Sequence, residues 1–403
     1  PFAGGAYGIS RCTLGFFPGF LIGCCEILEY VAYVSTSVVA LGAMTIMIIP
    51  SLLGYEPLIW AIFYVSALFI HIKGNKWFWY FNFVIGAMSI ALLLVYCFGS
   101  LGFVDFHTNA TLQNTHDFAG GFNEFMRVLP IAAWFFVGVE ALNLANDHVK
   151  EPKDVIPIAQ VSCVFTLFIT GLIVFFVTVA LPPGLTSLPA NLLPFNNGYT
   201  LMFKSSEAAA TILSIPATYA TAFGFIWRYG KLIASMATSK LLPIILSKQS
   251  RYQTPYVALW FGTFLSYGLC LIVYFVPAVN IYLFSVCILA GFASYIGQCI
   301  GYISLKQHYS SIKKSAFKNP LGIEGAIVSL IIWVVSLIAV LGFQGNGGVE
   351  AIAFFTILAL LTLFYYGYAR KRQTLSHQEH KILLIAHVTN FNQSRDSSRK
   401  ASR

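Results

Sequence analysis

Ten apolar segments, most of them about 20 residues or longer, take up nearly the whole sequence. A run of about 20 apolar residues is long enough to cross the hydrocarbon core of a bilayer as an α-helix. Hydrophobic residues make up 58% of the 403 residues and charged residues only 10%, whereas soluble domains carry about 25% charged residues. The sequence therefore predicts an all-α, polytopic transmembrane helical bundle without a separate soluble domain.

The apolar segments also define the domain organisation. The predicted spans are 14–49, 57–71, 78–100, 128–147, 157–181, 207–238, 256–276, 280–304, 322–343 and 349–369. Together they form one membrane domain over residues 1–369. Residues 370–403 are basic and have little apolar periodicity, so we predict a disordered cytosolic tail there.

Positively charged loops predict the orientation, because Lys and Arg are retained on the cytosolic side. Every second loop is basic, with Arg11, Lys73, Lys76, Lys150, Lys153, Lys240, Lys248, Arg251, Lys306, Lys313, Lys314 and Lys318. The opposite loops contain Arg127 and Lys204. We predict cytosolic termini, and a plasma membrane rather than an organelle membrane. The basic loops explain the net charge of +9, so we predict no nucleic-acid partner. Arg370-Lys371-Arg372 either contacts anionic lipid or marks the end of the last span.

One loop on the opposite side carries a possible modification site. Asn109-Ala110-Thr111 matches the acceptor pattern for N-glycosylation, which has to face the exterior or a lumen. We therefore predict Asn109 as a glycosylation candidate.

Two glutamates lie within the first span, where charge is unfavourable unless it is paired, hydrated or functional. Glu26 and Glu29 are about one helical turn apart, and Tyr30 follows directly. Either carboxylate can serve as a proton carrier during a transport cycle. The alternative is a purely structural hydrogen bond between helices.

The fourth span contains a glycine in an otherwise bulky run, Trp134-Phe135-Phe136-Val137-Gly138-Val139-Glu140. A break at Gly138 exposes backbone groups that can bind the ammonium or carboxylate of a small substrate, with Phe135 and Phe136 covering it. In the alternative, Gly138 only permits close helix packing and Glu140 pairs within the bundle.

Two cations lie within the sixth span, Arg228 and Lys231, about three turns from its predicted cytosolic end. Their side chains are too short to reach the interface over that distance. We expect them to pair with acidic groups of neighbouring helices or to face a water-filled vestibule, in a structural or gating role.

Four segments of the sequence resemble a known family, the amino acid–polyamine–organocation permeases, and within it an ethanolamine-permease-like branch. The similar segments are Gly4-Gly5-Ala6-Tyr7 with Arg11, Ile27-Leu28-Glu29-Tyr30, Trp134 through Glu140 with Lys150-Glu151-Pro152 and Pro157, and Lys231 through Pro243. The most specific is the one that runs from Trp134 to Pro157. Lys231 departs from the pattern, which usually has arginine there.

The resemblance implies a bundle of two inverted five-helix repeats, in which the ten spans are helices three to twelve. Helices one and two, the first of which carries part of the family's substrate site, are then missing, and we expect a fragment of a longer protein. The resemblance also implies substrate contacts from Phe135, Gly138 and Glu140.

These observations predict a secondary active transporter for amino acids or a small amine such as ethanolamine, working by alternating access. Proton coupling through Glu29 or Glu140 is preferred, while sodium coupling and exchange stay open. We predict no enzyme, no metal and no cofactor, since no HExxH, GxSxG or paired-aspartate pattern is present. The alternatives are a nontransporting sensor of the same fold and a nonfunctional fragment.

Overall fold

A computed structural model describes residues 4–110, 120–308, 319–375, 379–380 and 384. All regular structure in these residues is helical, which confirms the predicted fold class. The α-helices are α1 (Gly5–Thr13), α2 (Phe16–Ile48), α3 (Glu56–Lys73), α4 (Asn75–Gly99), α5 (Phe106–Asn109), α6 (Gly121–Trp134), α7 (Pro152–Val179), α8 (Phe195–Phe203), α9 (Glu207–Thr238), α10 (Tyr256–Phe275), α11 (Val279–His308), α12 (Gly322–Phe343), α13 (Val349–Phe364) and α14 (Arg370–Arg372).

Within the described residues, nine helical stretches are long and apolar enough to cross a membrane. They correspond to nine of the ten predicted spans, and the predicted bounds 207–238 and 322–343 coincide with α9 and α12. The last stretch runs from Val349 to Arg372, because a π-helical segment, Tyr365–Ala369, joins α13 to α14.

The predicted span 128–147 is not one continuous helix. Helix α6 ends at Trp134. After a short irregular segment, a 3₁₀-helix runs from Glu140 to Ala145. Gly138 in this segment has a φ of 89°, a left-handed conformation that glycine adopts without a steric penalty. The break therefore falls where the sequence predicted it.

Helices α2, α9 and α11 form the centre of the bundle, and small residues let them approach closely. A Cβ on Gly297 of α11 would collide with Ile22 of α2, and one on Gly23 of α2 would lie 2.8 Å from Met236 Sδ of α9. Small residues at such positions are the usual means of close packing between membrane helices. The three central helices therefore pack closely at these glycines.

Helix α1 lies directly against the start of α2. A Cβ on Gly19 would come within 2.5 Å of the Arg11 Cα and 2.7 Å of the Arg11 backbone nitrogen. Backbone atoms cannot rotate away as a flexible side chain can, so Gly19→Ala has to push the two helices apart.

We expect Gly19→Ala to destabilise the protein by about 1–3 kcal/mol, the usual effect of overpacking. The measurement is the melting temperature of the purified protein in detergent. Gly342→Ala is the matched control, because a Cβ at this helical glycine meets nothing within 4 Å. Equal melting temperatures for the two variants would contradict the close contact between α1 and α2.

The chain after the last span packs back onto the bundle. Arg11 Nη1 donates to Glu379 Oε1 at 2.8 Å, and both side chains are buried. Ser239 Oγ, just after α9, donates to the other oxygen of Glu379 at 2.7 Å, and Arg11 Nη2 donates to the Thr374 carbonyl at 3.2 Å. Thr374 and Glu379 of the region predicted as a disordered tail therefore contact α1 and the end of α9, while the prediction for 370–403 as a whole stays a prediction.

Candidate functional site

Helix α2 carries two glutamates into the interior of the bundle. Glu26, Glu29 and Tyr30 are all 0% exposed. Positions three and four apart share one face of a helix, so Glu26 and Tyr30 are neighbours, and the Tyr30 hydroxyl donates to Glu26 Oε1 at 2.8 Å. The other oxygens, Glu26 Oε2 and Glu29 Oε2, have no hydrogen-bond partner among the described residues.

The helix break brings a third carboxylate to the same place. Glu140 opens the 3₁₀-helix after the break, and its Oε1 lies 2.9 Å from the Tyr30 hydroxyl. The Tyr295 hydroxyl of α11 lies 3.1 Å from Glu140 Oε2 and 3.2 Å from Glu29 Oε1. We call these five side chains the carboxylate cluster: Glu26, Glu29, Glu140, Tyr30 and Tyr295.

Tyr295 was not among the residues that the sequence analysis selected. It lies within an apolar span and belongs to no recognisable motif. A glycine lies four residues earlier on α11, and a Cβ on this Gly291 would lie 2.7 Å from Trp134 and 3.1 Å from the Glu29 carboxyl carbon. That glycine makes room on α11 for the carboxylate of α2.

Gly138 occupies the break between α6 and the 3₁₀-helix, beside the carboxylate cluster. Its N–H donates to the Tyr295 hydroxyl at 3.4 Å. On its other side, a Cβ would collide with Arg228 Nη1 and lie 2.9 Å from the Phe225 ring. Any larger residue at this position would therefore displace groups of α9.

The two cations of α9 have different surroundings. Lys231 Nζ lies 2.5 Å from Asp147 Oδ2, so it is ion-paired with the loop after the break. The Arg228 guanidinium lies 3.9 Å from the centre of the Phe225 ring, and Nη1 is buried with no hydrogen-bond partner among the described residues. Arg228 thus lies beside Gly138, and no carboxylate of the described residues is bound to it.

His148 lies next to the Lys231–Asp147 pair, outside the membrane-spanning helices. Its Nε2 is 3.5 Å from Asp147 Oδ1. Burial and the positive charge of Lys231 lower the pKa of His148, while Asp147 acts in the opposite direction. The imidazole is therefore neutral at physiological pH.

The two predicted aromatic covers, Phe135 and Phe136, have described ring contacts with each other. Phe135 is 48% exposed and packs close to Gly171 of α7, and Phe136 contacts it edge-on with ring centroids 5.4 Å apart. The buried neighbour Trp134 contacts Tyr33 instead, and Tyr33 packs against Phe225 with ring centroids 4.5 Å apart. Tyr33, Trp134 and Phe225 form an aromatic layer beside the cluster.

Two cavities border the elements that carry the cluster. One, of about 350 Å³, lies beyond the aromatic layer and is lined by Tyr33, Thr36, Thr221 and Phe284. The other, of about 530 Å³, lies toward the predicted cytosolic side, and Ser10, Asn143, Gln298 and Tyr302 are among its lining residues. None of the residues that line either cavity belongs to the carboxylate cluster.

The glycosylation candidate is only partly described. Asn109 ends α5 and its Nδ2 donates to the Ala180 carbonyl at 3.1 Å, while Thr111 lies outside the described residues. Modification of Asn109 stays a prediction.

Membrane-length helices around a buried ionisable cluster define an integral, multi-pass membrane protein. The chain belongs to the amino acid permease family, whose model matches residues 1–381.

Curated relatives agree with this assignment. A histidine permease of Lactococcus lactis is 24% identical over 305 residues, which cover 71% of this chain and 63% of that protein. A lysine-specific permease of the same species is 23% identical over 78% of this chain and 66% of its own length. A methylthioribose transporter of Bacillus subtilis is 25% identical over 93% of this chain and 81% of its own length. The chain spans just under two thirds of the two Lactococcus permeases.

Proposed function

We propose that this chain forms the core of a secondary active permease for amino acids or a small amine such as ethanolamine. In this proposal the substrate ammonium binds at the carboxylate cluster, next to the backbone break at Gly138. Buried carboxylates inside a membrane bundle are typical of substrate and ion pathways. The relatives with histidine or lysine in their names support an amino acid as the solute.

Charge balance supports a cationic group as the bound species. Three carboxylates face one another, and Arg228 is the cation that acts on Glu29 without bonding to it. Burial of uncompensated charge is strongly unfavourable. A substrate ammonium in the cluster would supply one of the missing positive charges.

A count of protons supports a proton as the coupling ion. The hydroxyls of Tyr30 and Tyr295 make four short contacts with carboxyl oxygens, between 2.8 and 3.2 Å. Each hydroxyl has a single hydrogen to donate, so the two hydroxyls account for two of the four contacts. Each of the other two contacts is a hydrogen bond only when its carboxyl group carries a proton. The geometry therefore suits a cluster that binds and releases protons, with Glu29 or Glu140 as the proposed carrier.

The two cavities support alternating access. If the site lies between them, a substrate can reach it from one side when the layer of side chains on that side opens, as in transporters with broken helices. We propose that the aromatic layer of Tyr33, Trp134 and Phe225 closes the cluster on the side opposite the predicted cytosolic face.

The test is uptake by transporter-deficient cells that express the complete reading frame containing this chain. Labelled amino acids and ethanolamine are offered at acidic and neutral external pH. We expect saturable uptake that rises at acidic pH. Surface-localised protein that moves none of these solutes would contradict the proposal and favour a nontransporting sensor, and uptake that follows sodium instead of pH would contradict the proton coupling alone.

A further inference from the structure

We propose that a third cavity, separate from the carboxylate cluster, binds a ligand that carries a phosphate group. The cavity has a volume of about 470 Å³ and lies on the predicted cytosolic side, where residues of α3, α4, α9 and the segment before α10 meet. The ligand is either the headgroup of an anionic lipid or a soluble phosphate ester. This inference goes beyond the proposed function and does not depend on it, because it concerns a different site and is tested by binding instead of uptake.

The charged side chains that line this cavity are all basic. Lys231 and Arg251 are cations, and two histidines, His71 and His148, also line it, whereas no Asp or Glu does so among the described residues. Asp147 pairs with Lys231 from the adjacent loop, but Arg251 has no ion pair within the part of the chain that the structure describes. A positive charge is therefore left uncompensated at the cavity, and such a charge attracts anions.

Aromatic rings position the two cations. Lys231 Nζ lies 5.9 Å from the centre of the Trp227 ring, and the Arg251 guanidinium carbon lies 4.7 Å from the centre of the Tyr252 ring. Cation–π contacts of this kind involve the face of the ring and leave the N–H groups of the cation able to donate. Phe78 stacks on Trp227 with ring centroids 6.1 Å apart, which holds that ring against α4. The cavity therefore presents positioned cations that can donate hydrogen bonds to an anion.

A tight turn fixes the backbone of Arg251 beside α3 and α4. The Ser250 N–H donates to the Thr254 carbonyl at 2.8 Å, which closes the turn around Arg251. Thr254 Oγ1 donates to the Ile72 carbonyl at 3.0 Å, and a Cβ on Gly74 would collide with the Thr254 side chain. Because the turn is bound to the end of α3, the cavity is formed before a ligand arrives, and a preformed site binds with a smaller ordering cost.

The size and the charge of the cavity favour a phosphate ester over a simpler anion. A phosphate has several strong acceptor oxygens and up to two negative charges, so it can bind two cations at once, and arginine can bind it with two parallel N–H donors. Gly74 and Pro255 also line the cavity as the N-cap residues of α4 and α10, and helix N-termini add positive potential. A volume of about 470 Å³ suits a small organic ligand, so there is room for an organic group beside Trp79 and Trp227.

The test is equilibrium binding of two labelled probes to the purified full chain in detergent, short-chain phosphatidylglycerol and glycerol 3-phosphate. Short-chain phosphatidylcholine, whose headgroup has no net charge, is the control ligand. We expect saturable binding of at least one probe by the wild type, and about tenfold weaker binding by Arg251→Gln and by Lys231→Gln, because each loses a charge-assisted hydrogen bond. Lys248→Gln is the matched control and should bind within about twofold of the wild type, since Lys248 is exposed, lies three residues before Arg251 and does not line the cavity.

The two probes distinguish the sources of the phosphate. Binding of phosphatidylglycerol alone would identify a membrane lipid as the ligand, and binding of glycerol 3-phosphate would show that a soluble phosphate ester is sufficient. The proposal is overturned if the wild type binds neither probe more tightly than phosphatidylcholine. It is also overturned if Arg251→Gln, with folding confirmed by melting temperature, keeps the wild-type affinity, and Lys231→Gln decides in the same way if Arg251→Gln does not fold.

Discussion

Replacing Glu140 with glutamine is expected to reduce substrate uptake by about 100-fold or more. Loss of one partner from a buried, hydrogen-bonded charged site costs about 2–5 kcal/mol, and 1.4 kcal/mol corresponds to a factor of ten. Glu140 joins the two halves of the carboxylate cluster, because it contacts Tyr30 through one oxygen and Tyr295 through the other. The amide keeps the shape of the side chain and removes its charge, so the loss should appear in uptake while the protein still reaches the surface.

The matched control is Glu350→Gln. Glu350 is a carboxylate of α13 that is 1% exposed and has an oxygen without a hydrogen-bond partner among the described residues, but it makes no contact with the cluster that the structure describes. Its replacement should leave uptake within about twofold of the wild type, as expected of a residue outside the site. Equal losses for both variants would mean that burial of a carboxylate, and not its place in the cluster, determines the effect.

Gly138→Ala is expected to lower uptake to a similar extent, by about 100-fold. The methyl group would displace Arg228 and the Phe225 ring, and a displacement of about 1 Å in a binding site can have an effect of that size. The variant also places a side chain at a φ of 89°, which adds about 1–2 kcal/mol of backbone strain. Uptake and surface expression are measured together.

Gly345→Ala separates the two causes. Gly345 has a φ of +73°, and a Cβ there meets nothing within 4 Å, so this variant introduces the strain without the displacement. We expect it to keep near-normal uptake. If Gly345→Ala loses as much transport as Gly138→Ala, backbone strain explains both results and the close approach of Arg228 to Gly138 is not important for transport.

Features encoded locally could be predicted from the sequence. Long apolar runs predicted the membrane helices, and the glycine at position 138, followed closely by Glu140, predicted the helix break, with close helix packing as the alternative. The carboxylates of α2 were also predictable, since Glu26 and Glu29 stand out in an apolar helix. In each case the signal lies within a few residues of the feature.

Features that depend on helix rotation could not be predicted. Trp134, Phe135 and Phe136 are consecutive, so in a helix they point in directions about 100° apart, and the sequence does not reveal which one faces inward. The bundle buries Trp134 and leaves Phe135 48% exposed. Which of the three residues is buried could therefore be assigned only from the structure, and substrate contacts of Phe135 and Phe136 stay a prediction.

Contacts between distant parts of the chain could not be predicted from the sequence either. Tyr295 is one tyrosine among 21 in the sequence, and its role follows only from the packing of α11 against α2. Glu379 lies in a polar, basic region that looks like a solvated tail, yet it pairs with Arg11, 368 positions earlier. No local pattern encodes a partner that far away.

Substrate binding to the purified protein tests the central claim, that the carboxylate cluster and the break at Gly138 form one substrate site. Labelled amino acid, chosen from the uptake panel, is titrated at equilibrium against the wild type, Glu140→Gln, Gly138→Ala and Glu350→Gln. We predict saturable binding by the wild type and Glu350→Gln, and loss of binding by both Glu140→Gln and Gly138→Ala. Wild-type affinity in the last two variants, with folding confirmed by melting temperature, would place the substrate elsewhere and contradict this account.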